Sequence, residues 1–324
     1  EAELSLELAL ARRARCLEQY LAARGPDVII VEHFPFSKWE LGAEIDAMLK
    51  VARKYNPALK VVCSLRDIAP RTRHEDEQGY AQSVLQRLNR QFNALLVHAD
   101  SQLCSLEDFF PRCNEIAIPV YHTGVVVQQF AAAAPANAFA TAITGGYVVA
   151  SIGGGADDAG LLERVTQAWR QLQQQQALGS LVLLLFGGLA SSMPADGAPV
   201  EGEDGIYNMG FNPYFRYWLQ DASLSISCAG YNTCANLLVT ATPALLIPNL
   251  KMSDQLERAR LLAGRGVARL VPPRAPDHDA LAQLILDSLG SRPPRHNIDI
   301  EGAQNSARYI EELLARPTSV LETQ

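Results

Sequence analysis

Short, wholly apolar runs rich in β-branched residues alternate along this chain with longer stretches whose apolar positions recur every three or four residues. The first pattern is that of a strand buried on both faces and the second that of an amphipathic helix. Their alternation predicts parallel sheets wrapped by helices. The spacing predicts a helix over 4–24, stopped by Gly25-Pro26, and a strand over 27–31. Helices over 40–54 and 78–92 and strands over 60–65, 94–97 and 115–119 follow. A second series begins with a strand over 147–152, a glycine triplet, a helix running to Gln176 and a strand over 181–186. It continues with strands over 224–227, 244–247 and 267–271 and helices over 232–239, 254–264, 277–289 and 302–314.

Between the two series, residues 128–146 read QQFAAAAPANAFATAITGG, uncharged and poor in large apolar side chains. This is the composition of a linker. The expected organisation is an α/β domain over 1–127, a linker over 128–146, a second α/β domain over 147–300 and a C-terminal helix and tail over 301–324. A length of 324 residues suits two such domains. Two parallel α/β domains place a small-molecule site at the carboxyl ends of their strands, in a cleft between them.

Composition narrows the partners. With 28 Lys and Arg against 35 Asp and Glu, the net charge is −7, and no run of five like charges occurs. A nucleic-acid partner held by phosphate contacts is not expected. The six cysteines, at 16, 63, 104, 113, 228 and 234, form no CxxC pair and have no histidine at zinc-finger spacing, so neither structural zinc nor another metal is expected. Reduced cysteines beside apolar strands suit a cytoplasmic protein. The longest apolar runs fall far short of a membrane span, which leaves at most peripheral contact with the inner face of a membrane.

Two stretches carry chemistry. In Val149-Ala-Ser-Ile-Gly153-Gly154-Gly155-Ala-Asp157-Asp158 an apolar strand runs into three glycines and then an acid-started helix. Such a turn lets backbone N–H groups approach a diphosphate. It is neither GxGxxG nor a P-loop. In the second stretch, Leu224-Ser-Ile-Ser227-Cys-Ala229-Gly230-Tyr231-Asn232-Thr233-Cys-Ala-Asn236, a strand ends in a small-residue turn and a helix follows whose first N–H groups suit an anion. Asp254-Gln255 opens a further helix from the same sheet edge. In the first domain, His33, His122 and the pair Arg66-Asp67 follow strands at their carboxyl ends, where site residues belong.

The order of glycine turn, SISCAGYNT, TPALLIP and SDQLERARLL resembles the nucleotide-sugar-binding domain of GT-B glycosyltransferases. It is most similar to the group of the peptidoglycan N-acetylglucosaminyltransferase and its "predicted glycosyltransferase" relatives. The resemblance covers residues 147–272, and more loosely EHFPF at 32–36, SLRDI at 64–68 and YHTGVV at 121–126. It implies two facing Rossmann-like domains, a UDP-sugar co-substrate held by the second, a hydroxyl acceptor held by the first, and no further cofactor or obligatory metal. By motif position Gly153, Gly154, Gly155 and Gly230, Tyr231, Asn232 and Thr233 would face the diphosphate, with Ser227, Ala229 and Asn236 also binding the donor. Phe211 would lie near the base, and Asp254 and Gln255 near the donor sugar. In the family the base comes from a Gly-His loop; here the strand-end residues His33, Asp67 or His122 are the candidates for that role, with Arg66 on the acceptor side.

Three departures stand out. Asn236 replaces the acid that takes the ribose hydroxyls, Leu256 replaces the second of a paired glutamine, and the residues ahead of Leu4 hold no strand and Gly-His loop. Either the sequence given omits the N-terminal strand and loop of the first domain or the protein lacks them, and the chain as printed is expected to bind nucleotide without transferring sugar. Hydrolysis or epimerisation of a nucleotide sugar, and binding without catalysis, are the alternatives to transfer.

Overall fold

A computed structural model describes residues 6–68, 77–128, 143, 145–154, 160–188, 200–201, 203–272, 278–293 and 295–315. The chain forms two compact units, one made of Glu1–Val125 with Glu301–Gln324 and the other of Val126–Ile300.

The first unit carries a four-stranded, wholly parallel sheet in the order β1 (Val28–Glu32), β2 (Lys60–Arg66), β3 (Ala94–His98) and β4 (Val120–His122). Helices α1 (Leu6–Arg24), α2 (Gly42–Tyr55) and α3 (Glu77–Gln91) intervene in sequence. The expected strand over 115–119 is not one. Asn89 reaches from α3, donating to the Glu115 carbonyl at 3.0 Å and accepting from the Ala117 N–H at 2.8 Å, so this segment spends its backbone groups on a side chain. Pairing with β3 starts only at Pro119, whose carbonyl accepts the Leu95 N–H at 2.9 Å.

The two phenylalanines of the EHFPF segment serve the packing of this unit. Phe34 and Phe36 are fully buried, with Phe34 edge-on to Trp39 and Phe36 edge-on to Phe110. The last helix, α9 (Gly302–Ala315), returns from the far end of the chain to this unit. Its Tyr309 and Leu313 cover Val62, Ala94 and Leu96 on one face of the sheet, and Tyr309 stacks on Tyr121 with centroids 4.8 Å apart. Gly302 makes this seating possible, since a Cβ there would stand 2.4 Å from the Gly124 carbonyl oxygen.

The second unit holds β5 (Tyr147–Ser151), β6 (Val182–Phe186), β7 (Val200–Glu201), β8 (Ile206–Gly210), β9 (Leu224–Ser227), β10 (Ala244–Leu246) and β11 (Arg269–Leu270). Their order is β11-β10-β9-β5-β6-β8-β7, parallel throughout except for the antiparallel β7–β8 pair. The helices are α4 (Leu161–Gln174), α5 (Phe215–Gln220), α6 (Tyr231–Thr240), α7 (Gln255–Gly264) and α8 (His278–Ser288). Strand β5 sits centrally: the chain winds one way through β6 and β8 and the other way through β9, β10 and β11. That is the doubly wound Rossmann-like order, and it puts a switch point between β5 and β9. The core on one face joins Val148 and Ala150 of β5 and Leu224 and Ile226 of β9 to Leu161, Val165 and Trp169 of α4, with Leu281 and Ile285 of α8. The six cysteines are unpaired, and among the described residues no helix is long and apolar enough to cross a membrane.

Candidate functional site

At a switch point two neighbouring strands send their connections to opposite faces, which opens a crevice at their carboxyl ends. Here those strands are β5 and β9, in register with Ser151 beside Ser227. Register partners point to the same face, so the two hydroxyls stand side by side, on the face away from Ala150 and Ile226.

Ser151 holds the first turn. Its Oγ accepts the Gly153 N–H at 3.1 Å, and Gly153 takes φ +73°, a conformation that favours glycine. Gly154 is exposed, and a Cβ built on it would meet none of the described residues within 4 Å. The Cβ direction of Gly153 points to Thr233 Oγ1 at 3.8 Å, so the β5 turn abuts the first turn of α6. Gly155 lies outside the described residues.

Gly230 is the N-cap of α6, in extended conformation, and its carbonyl accepts the Cys234 N–H at 3.0 Å. Glycine has no side chain to cap with, and among the described residues the N–H groups of Asn232 and Thr233 in the first turn have no acceptor, which leaves them for another one. Ser227 Oγ is fully buried at the same spot and has no hydrogen-bond partner among the described residues. A buried hydroxyl without a partner is costly, and here it lies beside an uncapped helix. On α6 itself Asn232 is exposed and Asn236, one turn on, half-buried.

Three of the expected residues do structural work with their side chains. The Tyr231 hydroxyl accepts the Val126 N–H at 2.9 Å, and its ring is largely buried. Gln255 Oε1 accepts the Asn249 N–H at 2.9 Å, which closes the turn after β10. Asp254 Oδ2 meets Arg258 at 2.6 Å, while the same guanidinium donates to the Ala229 carbonyl at 2.7 Å and lies 5.8 Å from the Tyr231 ring centre. Arg258, only 4% exposed, therefore ties the start of α7 to the turn before α6. Sequence reasoning missed it, although an arginine four residues after Asp254 in an apolar helix was the available signal. Asp254 and Gln255 stand next along the sheet edge, after β10. Phe211 follows β8, two strands beyond β5 on the other side.

In the first unit the structure brings the expected residues to one sheet edge. Arg66 pairs with Glu32 at 2.9 Å. Asp67 Oδ1 accepts the N–H of Ile68 at 2.8 Å. His33, at φ +66°, follows β1 and donates its backbone N–H to the Ser64 carbonyl. His122 Nε2 accepts the Leu106 N–H at 3.3 Å, and burial holds its pKa below the ordinary value. The connected group at this edge is one the sequence reading passed over. His98 bridges Ser64 Oγ at 2.8 Å and Thr123 Oγ1 at 2.9 Å, and burial, followed by Glu32 working in the opposite sense, brings its pKa down to about 4. It ends a strand just as His33 and His122 follow theirs, so the same positional signal applied.

Among solved structures the chain is similar to the glycotransferase of kitacinnamycin, at 16% identity and a TM-score of 0.60 over 95% of this chain and 81% of that one. It is likewise similar to Arabidopsis thaliana UGT89C1 complexed with UDP, at 15% identity and a TM-score of 0.64 over 94% and 78%. A Listeria monocytogenes protein described as a candidate UDP-N-acetylglucosamine 2-epimerase shares 12% identity, with a TM-score of 0.60 over 96% and 82%. No curated protein matches the sequence. The glycosyltransferase family 28 C-terminal domain, however, matches residues 149–313. That span runs from β5 through α9, takes in the whole switch-point site and makes up just over half of the chain, which therefore belongs to this glycosyltransferase family.

Proposed function

We propose that the switch-point crevice of the second unit holds the diphosphate of a UDP-sugar, whose sugar is transferred to a hydroxyl acceptor. The observation that carries this reading is the coincidence, among the described residues, of three features at one place: a start of α6 whose N-cap glycine offers no side chain, an open glycine turn after β5, and the buried Ser227 hydroxyl without a partner. Each supplies a donor suited to phosphate oxygens. Backbone N–H groups and the positive end of the helix dipole stabilise the negative charge that grows on the leaving diphosphate, and being fixed in advance they need no reorganisation as the bond breaks.

In this reading Gly153, Gly154, Ser227 and Gly230 through Thr233 surround the diphosphate. Asn236 stands one helical turn away for the ribose, Phe211 is placed for the base, and the carboxylate oxygen of Asp254 not bound to Arg258 is placed for the sugar. Gly155 completes the first turn by sequence. The choice of uridine draws on the neighbours: Arabidopsis UGT89C1 has been solved with UDP and with UDP-L-rhamnose. That of a hydroxyl acceptor draws on the same protein solved with quercetin. The nucleotide sugar acts as co-substrate, and the proposal invokes no other cofactor.

The test is thermal denaturation with UDP, GDP and dTDP at millimolar concentration, followed by UDP release from UDP-glucose and UDP-N-acetylglucosamine with and without a phenolic acceptor. A rise in Tm with UDP, and UDP release that depends on the acceptor, are expected. No shift with any nucleotide would remove the donor site. Free sugar formed equally well without acceptor would make the enzyme a hydrolase.

A further inference from the structure

Among the described residues Arg258 is the only buried charged side chain. Taking a cation out of water is costly, and a well-packed apolar side chain would hold α7 against its neighbours without that cost. What a guanidinium adds is charge and direction. Its Nη2 meets Asp254 Oδ2 at 2.6 Å, and its Nη1 donates to the Ala229 carbonyl at 2.7 Å. All of these groups belong to the second unit.

The contact with Ala229 acts through the peptide that follows it. The Ala229–Gly230 bond is trans, so the Ala229 carbonyl and the Gly230 N–H lie in one plane and point in opposite directions. With its carbonyl turned to Arg258, this peptide turns the Gly230 N–H away from α7. The two residues differ in their surroundings. Ala229 is fully buried, whereas Gly230 is half-buried and a Cβ built on it would meet none of the described residues within 4 Å. Among the described residues the Gly230 N–H has no acceptor. In the sheet, β9 stands between β10, which leads into α7, and β5, which leads into the glycine turn. A charged donor on a peptide carbonyl also strengthens the N–H at the other end of that peptide, since hydrogen-bonded groups in series polarise one another.

We infer that Arg258 is a positioning residue for the donor. Through the Ala229 carbonyl it aims and polarises the Gly230 N–H for the diphosphate, and through Asp254 it holds the carboxylate placed for the sugar. This rests on the reading of the switch-point crevice as a UDP-sugar site. The guanidinium stays behind the turn and acts on the ligand only through the peptide and the carboxylate. As negative charge grows on the leaving diphosphate, the N–H that meets it is already oriented and needs no reorganisation.

The experiment measures, on the whole chain, the binding of UDP by calorimetry and of uridine, which lacks the phosphates, by ligand-observed NMR. Wild-type protein should bind UDP more tightly than uridine. Arg258→Gln should weaken UDP by roughly 10- to 100-fold, the worth of one hydrogen bond to a charged group, and leave uridine unchanged. A merely structural role would weaken both ligands alike. Arg258→Lys, which keeps the charge and a donor, should recover part of the preference for UDP. Unchanged UDP affinity in Arg258→Gln, or an equal loss for UDP and uridine, would overturn the inference and leave the donor site standing. A wild type that binds UDP no better than uridine would instead overturn the reading beneath it. A further measurement needs no variant: in protein labelled with carbon-13 at alanine carbonyls and nitrogen-15 at glycine, the Gly230 amide proton should move downfield with UDP and stay in place with uridine. A Gly230 amide that does not move while UDP binds would refute the role given to this peptide.

Discussion

Gly154 offers a perturbation that separates the ligand from the fold. It lies in the β5 turn outside the left-handed region that Gly153 occupies, and among the described residues a Cβ added to it meets no atom within 4 Å. Gly154→Ala should therefore cost the folded state nothing, and by narrowing the unfolded ensemble it should stabilise the protein by about 0.4–1 kcal/mol. For a unit of this size that corresponds to a rise in Tm of roughly 1–4 °C. The same methyl points into the space proposed for the diphosphate. In wild-type protein, UDP at 100 times its Kd should add about 2.7 kcal/mol of apparent stability. In Gly154→Val that increment should disappear while the ligand-free protein unfolds as cooperatively as before. The assay is differential scanning fluorimetry across a UDP titration, with calorimetric binding at 25 °C as a check. Gly153→Ala is the contrast: at φ +73° it should cost about 1–2 kcal/mol even without ligand. Wild-type UDP affinity in both Gly154 variants would show that the turn faces elsewhere and would refute the placement of the diphosphate.

Three further outcomes follow from named contacts. Arg258→Met removes a buried guanidinium and leaves the Asp254 carboxylate and the Ala229 carbonyl without it, so urea denaturation should show a loss of about 3 kcal/mol. Adding Asp254→Asn should recover part of that loss, and strictly additive effects would mean that the pair is not coupled. Asn236→Asp should tighten UDP binding by about 1 kcal/mol, roughly fivefold, as a charged acceptor replaces a neutral one; unchanged affinity in calorimetry would move the ribose off α6. Burial holds His98 at a pKa of about 4, so between that value and its ordinary 6.5 the unfolded chain binds the proton more readily than the folded one. This contribution to stability is fully present above pH 6.5 and is lost as pH falls toward 4, about 3 kcal/mol in all. Denaturation midpoints of His98→Gln should lack that component, and an acid slope equal to wild type would place the ring in solvent.

Much of this molecule was written locally. The runs that became β3 and β5 are almost wholly apolar because a parallel sheet buries both faces of its inner strands, so their identity needed no tertiary information. The glycine turn after β5 and the small-residue turn before α6 were legible for a similar reason, since close backbone approach excludes side chains. Elements whose pattern depends on what packs over them were not legible. The segment over 115–119 looks like a strand until Asn89 takes its backbone groups, and the short β7 and α5 carry too few residues to show a period. Sheet order lies beyond any local pattern. That β9 pairs with β5, and so brings Ser227 beside Ser151, follows from the reversal of winding and decides where the site is. The same holds for α9, whose return to the first sheet depends on the space left by Gly302, and for the Ser64–His98–Thr123 row, drawn from three strands or their ends. Periodicity and turn chemistry act over a few residues, so the sequence by itself determined the elements and their turns. Adjacency between distant segments is settled only when the whole surface of each element is buried, and that was left to the tertiary structure.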